Sequence, residues 1–505
     1  MTSSDNVWKR VFFTFAVLTV VAGCAHSSTT PGQSPAGNLR SKVGHDIGSA
    51  QGHELATWIY NNRQGPQWDR NDFQLEQYLD FVEVDQSQSA GPDSRTFARY
   101  GNTVVEYTNP NRQCSPNGPN KCVNNPDPEY TDDPLAFAIA TPDPGNSCTA
   151  WNGSRLFKAF GTQYEYQMWP LNVHLSNAWA QEMTNFISPT QPSGWNWAYN
   201  GTRSYVFEDV ADNVEGLMNI HNQPDKPCTF NNNYTNWTNW SNTLITNTSS
   251  AYPALNNNQP MPGIIFNGLD PQSGSTPRPA IGLATNPAVS GGFAENCYVW
   301  VNSSGQAAPV QDITGQTTWT ALENTEIAML SQGKIFVCQG QGGMNDAAGL
   351  TSQRLYQIAS YLLAYDSKTF LAEKYQTVSG YQIFPEAFIV PMFPVKPQPV
   401  QASDLVVNGG SLYGREYNEC WVLGVEYTGC YVVVNPSTST INFQLPAKYV
   451  SQIVIQGSSM DDVPAPTITS SPIGTSFPPG TAAIALAPTP TPTPSPSCPP
   501  TQCGP

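Results

Sequence analysis

Three carboxylates stand directly behind an apolar run in the stretch Thr202–Gly216, T-R-S-Y-V-F-E-D-V-A-D-N-V-E-G. The run is Ser204–Phe207 and the acids are Glu208, Asp209 and Asp212. Apolar β-formers followed at once by acids describe a buried strand whose C-terminal end delivers charge into a cleft. In α/β barrels the strand ends on that face carry the chemistry. Glu208 and Asp209 are neighbours, so strand alternation turns them to opposite faces, which makes Asp209 the candidate and Glu208 structural. A second acid behind an apolar run is Glu295, and Gly263–Phe266 ends in a third polar group, Asn267. Trp195, Trp197, Trp237, Trp240 and Trp300 lie in or beside the same loops. Each offers an aromatic face, or else fills a core with its N–H satisfied.

Other chemistries lack their residues. The five histidines (His26, His45, His53, His174 and His221) form no H-E-x-x-H pair, so a zinc hydrolase is not expected. No G-x-S-x-G elbow occurs, no G-x-G-x-x-G follows a strand, and Gly340–Gly343 is not followed by Lys-Ser/Thr. Asp209 with Asp212 falls short of a calcium set. No metal or cofactor is expected.

Composition sets the compartment and the partners. The chain has 505 residues, a net charge of -16 and only 12% charged residues. That length calls for at least two domains. The acidic surface argues against nucleic acid and anionic membrane as partners. Lys9 and Arg10 precede an apolar segment, Val11–Ala22, too short to span a bilayer comfortably. It ends in Val21-Ala22-Gly23-Cys24, which resembles the bacterial lipoprotein signal. That resemblance implies cleavage before Cys24, a lipidated Cys24, and an envelope-anchored extracytoplasmic protein. Ten of the 11 cysteines then remain. Cys114 with Cys122, Cys420 with Cys430 and Cys498 with Cys503 are local pairs; Cys148, Cys228, Cys297 and Cys338 are left for longer bridges of open connectivity.

The elements that must position the candidate acids follow in alternation from Gly52 to Pro391. Strand-like runs at Glu54–Tyr60, the end of Phe73–Val84, Thr103–Tyr107, Ser204–Phe207, Gly263–Phe266, Ala294–Val301 and Lys334–Cys338 are interleaved with helical stretches. The helices are expected at Ser176–Ile187, Tyr234–Leu255, Thr317–Gln332 and Gln353–Tyr365. Alternation of this kind predicts a parallel sheet, and the polar strand ends favour a closed (β/α)8 TIM barrel over a doubly wound sheet. Beyond Pro391 the pattern changes to short strands separated by turns, as in a small all-β sandwich. The expected division is a signal at 1–24, a flexible tether at 25–50, the barrel at 51–400, the sandwich at 401–487 and a Pro/Thr-rich tail at 488–505, with Pro391–Pro399 a linker or edge segment.

Several segments together resemble a family of secreted bacterial glycoside hydrolases, a TIM barrel followed by a small β-sandwich. Tyr205–Asp209 is similar to the family's G-V-F-L-D strand, Gly263–Asn267 to its v-i-v-N-g strand, and Arg354–Tyr365 to its y-A-S-F-L-L-a-Y helix. Tyr413–Tyr417 (Y-G-R-E-Y) and Tyr431–Pro436 (Y-V-V-V-N-P) resemble its sandwich. Glu208 departs from the pattern, standing where the family has an apolar residue, as does Pro170-Leu171-Asn172, where an aspartate is expected. The resemblance implies an oligo- or polysaccharide substrate cut by two carboxyl groups. It places the first acid after strand four and its partner after strand six. Asp209 is then nucleophile or base and Glu295 the general acid, with Asn267, Asp212, Trp197 and Trp300 binding substrate. A monomer is expected. The alternative is a non-catalytic surface lipoprotein that binds or displays carbohydrate.

Overall fold

The computed structural model describes residues 234–269, 279–302, 304–313, 316–342, 351–366, 369–375, 384–423, 425–457 and 467–489. Before residue 234 it describes 54–59, 81–84, 103–108, 112–114, 157–160, 163–167, 173–187, 205–208, 220–223 and 226–228. Cys24, the tether, Trp197, Asp209, Asp212 and the last sixteen residues lie outside these.

Eight strands close into a barrel in sequence order: β1 (Glu54–Ile59), β2 (Phe81–Val84), β3 (Thr103–Thr108), β4 (Tyr205–Glu208), β5 (Gly263–Asn267), β6 (Val289–Ala294), β7 (Ile335–Gly342) and β8 (Thr369–Tyr375). Every neighbouring pair is parallel, including β1 with β8. The register carries one parity around the wall: Val105 lies beside Tyr205, Phe207 beside Ile265, Asn267 beside Phe293, and Phe293 beside Val337. Val105, Phe207, Ile265, Phe293 and Val337 form one fully buried cluster, the barrel interior, with the Phe207 and Phe293 rings edge to face at 5.4 Å. The other parity, Val206, Ile264, Phe266 and Phe336, packs outward in a separate core with Trp179, Leu244 and Ile358 of the helices.

Those helices are α1 (Val173–Ile187), α2 (Tyr234–Leu255), α3 (Thr318–Ser331) and α4 (Thr351–Ala364), on the connections entering β4, β5, β7 and β8. α2 is rich in Asn and Thr, weak helix formers because their side chains compete for backbone groups. Here the hydroxyls of Thr243, Thr246, Thr248 and Ser250 each bond the carbonyl four residues earlier, and the helix is held by the face that buries Leu244, Ile245 and Tyr252 in the core. The segments that follow β3 and β4 also build a side sheet of five short antiparallel strands, which includes Gln163–Gln167.

The expected strand Ala294–Val301 divides in two. β6 ends at Ala294, residues 295–298 turn, and Val299–Val301 opens a hairpin with Ala307–Pro309. The glycines of β6 hid it from a propensity reading. Both are packing requirements: a Cβ on Gly291 would lie 2.6 Å from the Ile335 backbone oxygen, and one on Gly292 2.5 Å from Leu269.

The C-terminal sheet is antiparallel and begins before residue 401. Its first strand, β9 (Ile389–Pro394), is the edge segment of the two readings offered for Pro391–Pro399. The others are β10 (Tyr413–Val422), β11 (Val425–Tyr427), β12 (Cys430–Asn435), β13 (Ser451–Gln456), β14 (Thr467–Pro472) and β15 (Thr481–Leu486). In place of two equal layers there is one seven-stranded sheet, with a two-stranded ribbon, Ile441–Asn442 and Ser476–Phe477, on its outer side. β12 is buried along its whole length. Val432 and Val434 face the helix side, and Tyr431 and Val433 face Leu445 and Phe477 under the ribbon.

The sheet is fastened to the end of α4. The last carbonyls of a helix have no partner within it. Tyr417 Oη donates to Leu362 O, Arg415 Nη1 to Leu363 O (2.8 Å), and Gln398 Nε2 to Ala364 O. The Y-G-R-E-Y motif thus caps a helix through Arg415 and Tyr417. At the other end of α4, Arg354 is fully buried, pairs with the equally buried Glu386, donates to Gly457 O at 3.0 Å and lies over the Phe384 ring. Glu386→Gln keeps the shape and leaves a buried cation without its counter-charge. Urea unfolding should show a loss of about 3–5 kcal/mol; a loss within experimental error would mean that the pair does not hold the junction.

Candidate active site

The inward parity of the barrel continues to the C-terminal strand ends. On β4 it runs through Tyr205 and Phe207; Glu208 has the other parity, is fully buried, and lies in register with the outward Phe266. This agrees with a structural Glu208. On β5 the parity runs through Ile265 to Asn267, which is 6% exposed. On β6 it runs through Phe293; the strand ends at Ala294, and Glu295 lies half-buried in the turn beyond it. Counting along the chain, the residue after β4 is Asp209 and the residue after β6 is Glu295. Asp209, Asp212 and Trp197 lie outside the described residues, so the structure places Glu295, Asn267 and Trp300 alone. Trp300 is 46% exposed on the hairpin that leaves the Glu295 turn.

β7 adds a residue that sequence reasoning missed. Gln339 follows Ile335 and Val337 on the inward parity, is 1% exposed, and its Nε2 meets no acceptor among the described residues. A buried donor left unpaired costs about 1–3 kcal/mol. The i, i+2 spacing of Ile335, Val337 and Gln339 was the available signal, but the expected strand stopped at Cys338.

The turn that carries Glu295 is fastened at several points. Cys297 is bonded to Cys338 on β7, which resolves one of the open connectivities; Cys420 is bonded to Cys430 across the β10–β12 hairpin, as expected. The Cys297 amide donates to Gln339 O (2.9 Å), and Val310 N donates to Tyr298 O (2.8 Å). Tyr298 has φ +61°, a left-handed conformation that an aromatic residue adopts only under constraint.

The constraint is a buried acid pair. Glu323 and Glu326 lie on one face of α3, both fully buried, and the Tyr298 hydroxyl is 2.7 Å from Oε2 of each. A hydroxyl has one proton to donate, so the second short contact needs a proton on a carboxyl. Burial pushes Glu323 up to about 8. It pushes Glu326 well above the ordinary range, with the Glu323 charge adding to the effect. At neutral pH the cluster therefore holds a carboxylic proton. Nearby, Asp312 accepts from Thr320 N and Oγ1, fixing the start of α3.

Among the described residues no group of three or more His, Cys, Asp or Glu could hold a metal, and no helix is long and apolar enough to cross a membrane. A cleft of about 230 Å³ lies on the C-terminal sheet between Gln398, Glu416 and Tyr431, and none of the strand-end residues lines it.

No family model matches the sequence, and no curated protein matches it. Solved structures give distant likenesses. The glycoside hydrolase domain of PelA from Pseudomonas aeruginosa is 12% identical over 64% of this chain and 95% of that one, with a TM-score of 0.37. Bacillus licheniformis trehalose-6-phosphate hydrolase (TreA) is 10% identical over 86% of this chain and 99% of that one, at 0.39. A family GH13_31 enzyme is 10% identical over 86% and 98%, at 0.42. Identities and scores this low carry no weight beside the strand register and the side chains.

The Cys297–Cys338 bond closes a loop with a sequence separation of 41. Replacing both cysteines by serine should lower unfolding free energy by about 2–4 kcal/mol in denaturant titrations. Unchanged stability would show that the turn is held without it.

Proposed function

We propose that the barrel is a (β/α)8 glycoside hydrolase in which Asp209 and Glu295 are the two working carboxyl groups. The observation that carries the reading is the position of three polar residues at the ends of adjacent barrel strands. Asp209 follows β4 directly in the chain, Glu295 stands in the turn directly after β6, and on β5 between them the inward alternation leads from Ile265 to Asn267. The C-terminal ends of the strands are where barrel enzymes carry their chemistry.

The roles follow from glycosidic chemistry. Glu295, in the turn after β6, is the proton donor to the leaving oxygen, the role that the family resemblance gives the acid after strand six. Asp209 is nucleophile or base on the opposite face of the sugar. The Asn267 amide is suited to a sugar hydroxyl. Trp300 presents an aromatic face on which the C–H face of a ring can stack, and the substrate-binding roles of Asp212 and Trp197 rest on the sequence alone. The substrate class is an oligo- or polysaccharide, and no cofactor enters the reaction.

If so, Asp209→Asn and Glu295→Gln should each lower hydrolysis of a responsive glycan by about 10²–10⁴-fold, the size of a general acid–base contribution. Their melting temperatures should stay near that of the unmutated protein. Full activity with a lowered melting point would make these acids structural. A folded protein inert to a broad glycan panel that it nevertheless binds would favour the non-catalytic reading.

We also infer export and lipid anchoring at Cys24, on the basic segment, the short apolar segment and the cysteine at their end. The full chain should partition with membranes and Cys24→Ser should release it to the soluble fraction. Equal partitioning of the two would remove the anchor.

A further inference from the structure

We propose that Tyr298, Glu323 and Glu326 form a proton-operated lock that holds the Glu295 turn in its working position. The lock rests on the catalytic reading of Glu295 for its consequence, and on side-chain geometry for its existence.

Tyr298 stands three residues after Glu295 in a turn whose backbone is forced into a left-handed conformation at Tyr298 itself. What keeps it there is the seat of its ring and hydroxyl. The ring is fully buried, 6.2 Å from that of Trp319, and the hydroxyl sits between two carboxyl oxygens. With one proton on the carboxyls, both contacts are hydrogen bonds: the phenol donates to one acid and accepts from the other. With none, one contact sets the phenol oxygen lone pairs against a carboxylate. The remaining oxygens, Oε1 of Glu323 and of Glu326, are buried without a partner among the described residues, so nothing else there absorbs a second charge.

The charges around the pair favour a single negative charge. The Arg415 guanidinium of β10 draws both acids down. Asp366, just past α4, pushes Glu326 up. Asp312 acts on Tyr356 of α4 and Tyr413 of β10, and Tyr417 completes the surroundings. One guanidinium balances one carboxylate; the second acid keeps its proton. The sign of the pH effect follows. Glu323 has a folded-state value raised above its unfolded one, so its contribution to stability is full below about 4.5 and is lost as pH rises through about 8. The lock is tightest in acid, loosens as pH rises toward about 8 and is weakest above it.

Hydrogen exchange of the Cys297 and Val299 amides reads the turn directly, without a substrate. In the unmutated protein, exchange corrected for its intrinsic pH dependence should accelerate by up to about tenfold per pH unit between about 4.5 and about 8 and level off above that. In Glu323→Gln the neutral amide donates to the phenol at every pH, and exchange should stay slow. In Tyr298→Phe it should be fast throughout. A merely structural Tyr298 predicts the same pH profile in the unmutated protein and Glu323→Gln, and that result would overturn the proposal. Infrared difference spectra give a second reading should a variant fold poorly. The unmutated protein should show a protonated-carboxyl band that disappears as pH rises through about 8, and absence of the band would also overturn it. The two readings fail separately. If Glu295→Gln leaves hydrolysis intact, the catalytic role is lost while the exchange result stands; if exchange is insensitive to pH, the lock is lost while Glu295 can still be catalytic.

Discussion

In a closed parallel barrel, each strand's register is set by both neighbours, and here that constraint governs everything else. A slip of one residue in any strand would exchange its inward set for its outward set. Phe207 would leave the interior for the helix layer, and Val206 would take its place. The wall admits no such exchange. Val105, Phe207, Ile265, Phe293 and Val337 fill one interior, and Val206, Phe266 and Phe336 fill another core with the helices. The polar strand ends inherit this parity at no separate structural cost. Glu208 is buried outward for the same reason that Asn267 falls on the inward series.

Much of this was legible in the sequence, because the governing signal is period two and period two is local. The apolar runs of β3, β4 and β5 and the four helices lie within a few residues of where patterning put them. α2 survived its composition because Leu244, Ile245 and Tyr252 bury one face of it in the core. β6 was misplaced because its glycines answer to Ile335 and Leu269, both remote in sequence. Residues joined over long separations were equally hidden. Nothing in A-L-E-N-T-E-I marks Glu323 and Glu326 for burial, and the groups that make it tolerable, Tyr298 and Arg415, lie outside the helix. The Y-G-R-E-Y motif was recognisable as a pattern, but its physical work, capping α4, becomes visible only with both partners in place.

Buried polar groups are concentrated where the barrel's helices meet the C-terminal sheet. Arg354 with Glu386, Arg415 with the α4 carbonyls, and the acid pair on α3 all lie along this seam. Each polar contact is directional, so together they fix one docking of the sheet, where apolar packing alone would tolerate several. The same seam reaches the candidate active site through Tyr298 and the Cys297–Cys338 bond. The sheet therefore supports the turn that carries Glu295, although none of its own residues is assigned a catalytic role.

The central claim is that Asp209 and Glu295 work as a pair, and distance tests it most directly. A crystal structure of the protein with a bound oligosaccharide product would measure the separation of the two carboxyl groups across the sugar. The account predicts about 5–10 Å, the span used by retaining and inverting glycosidases. Carboxyl groups well beyond that span, with no other acid opposite Glu295, would contradict it.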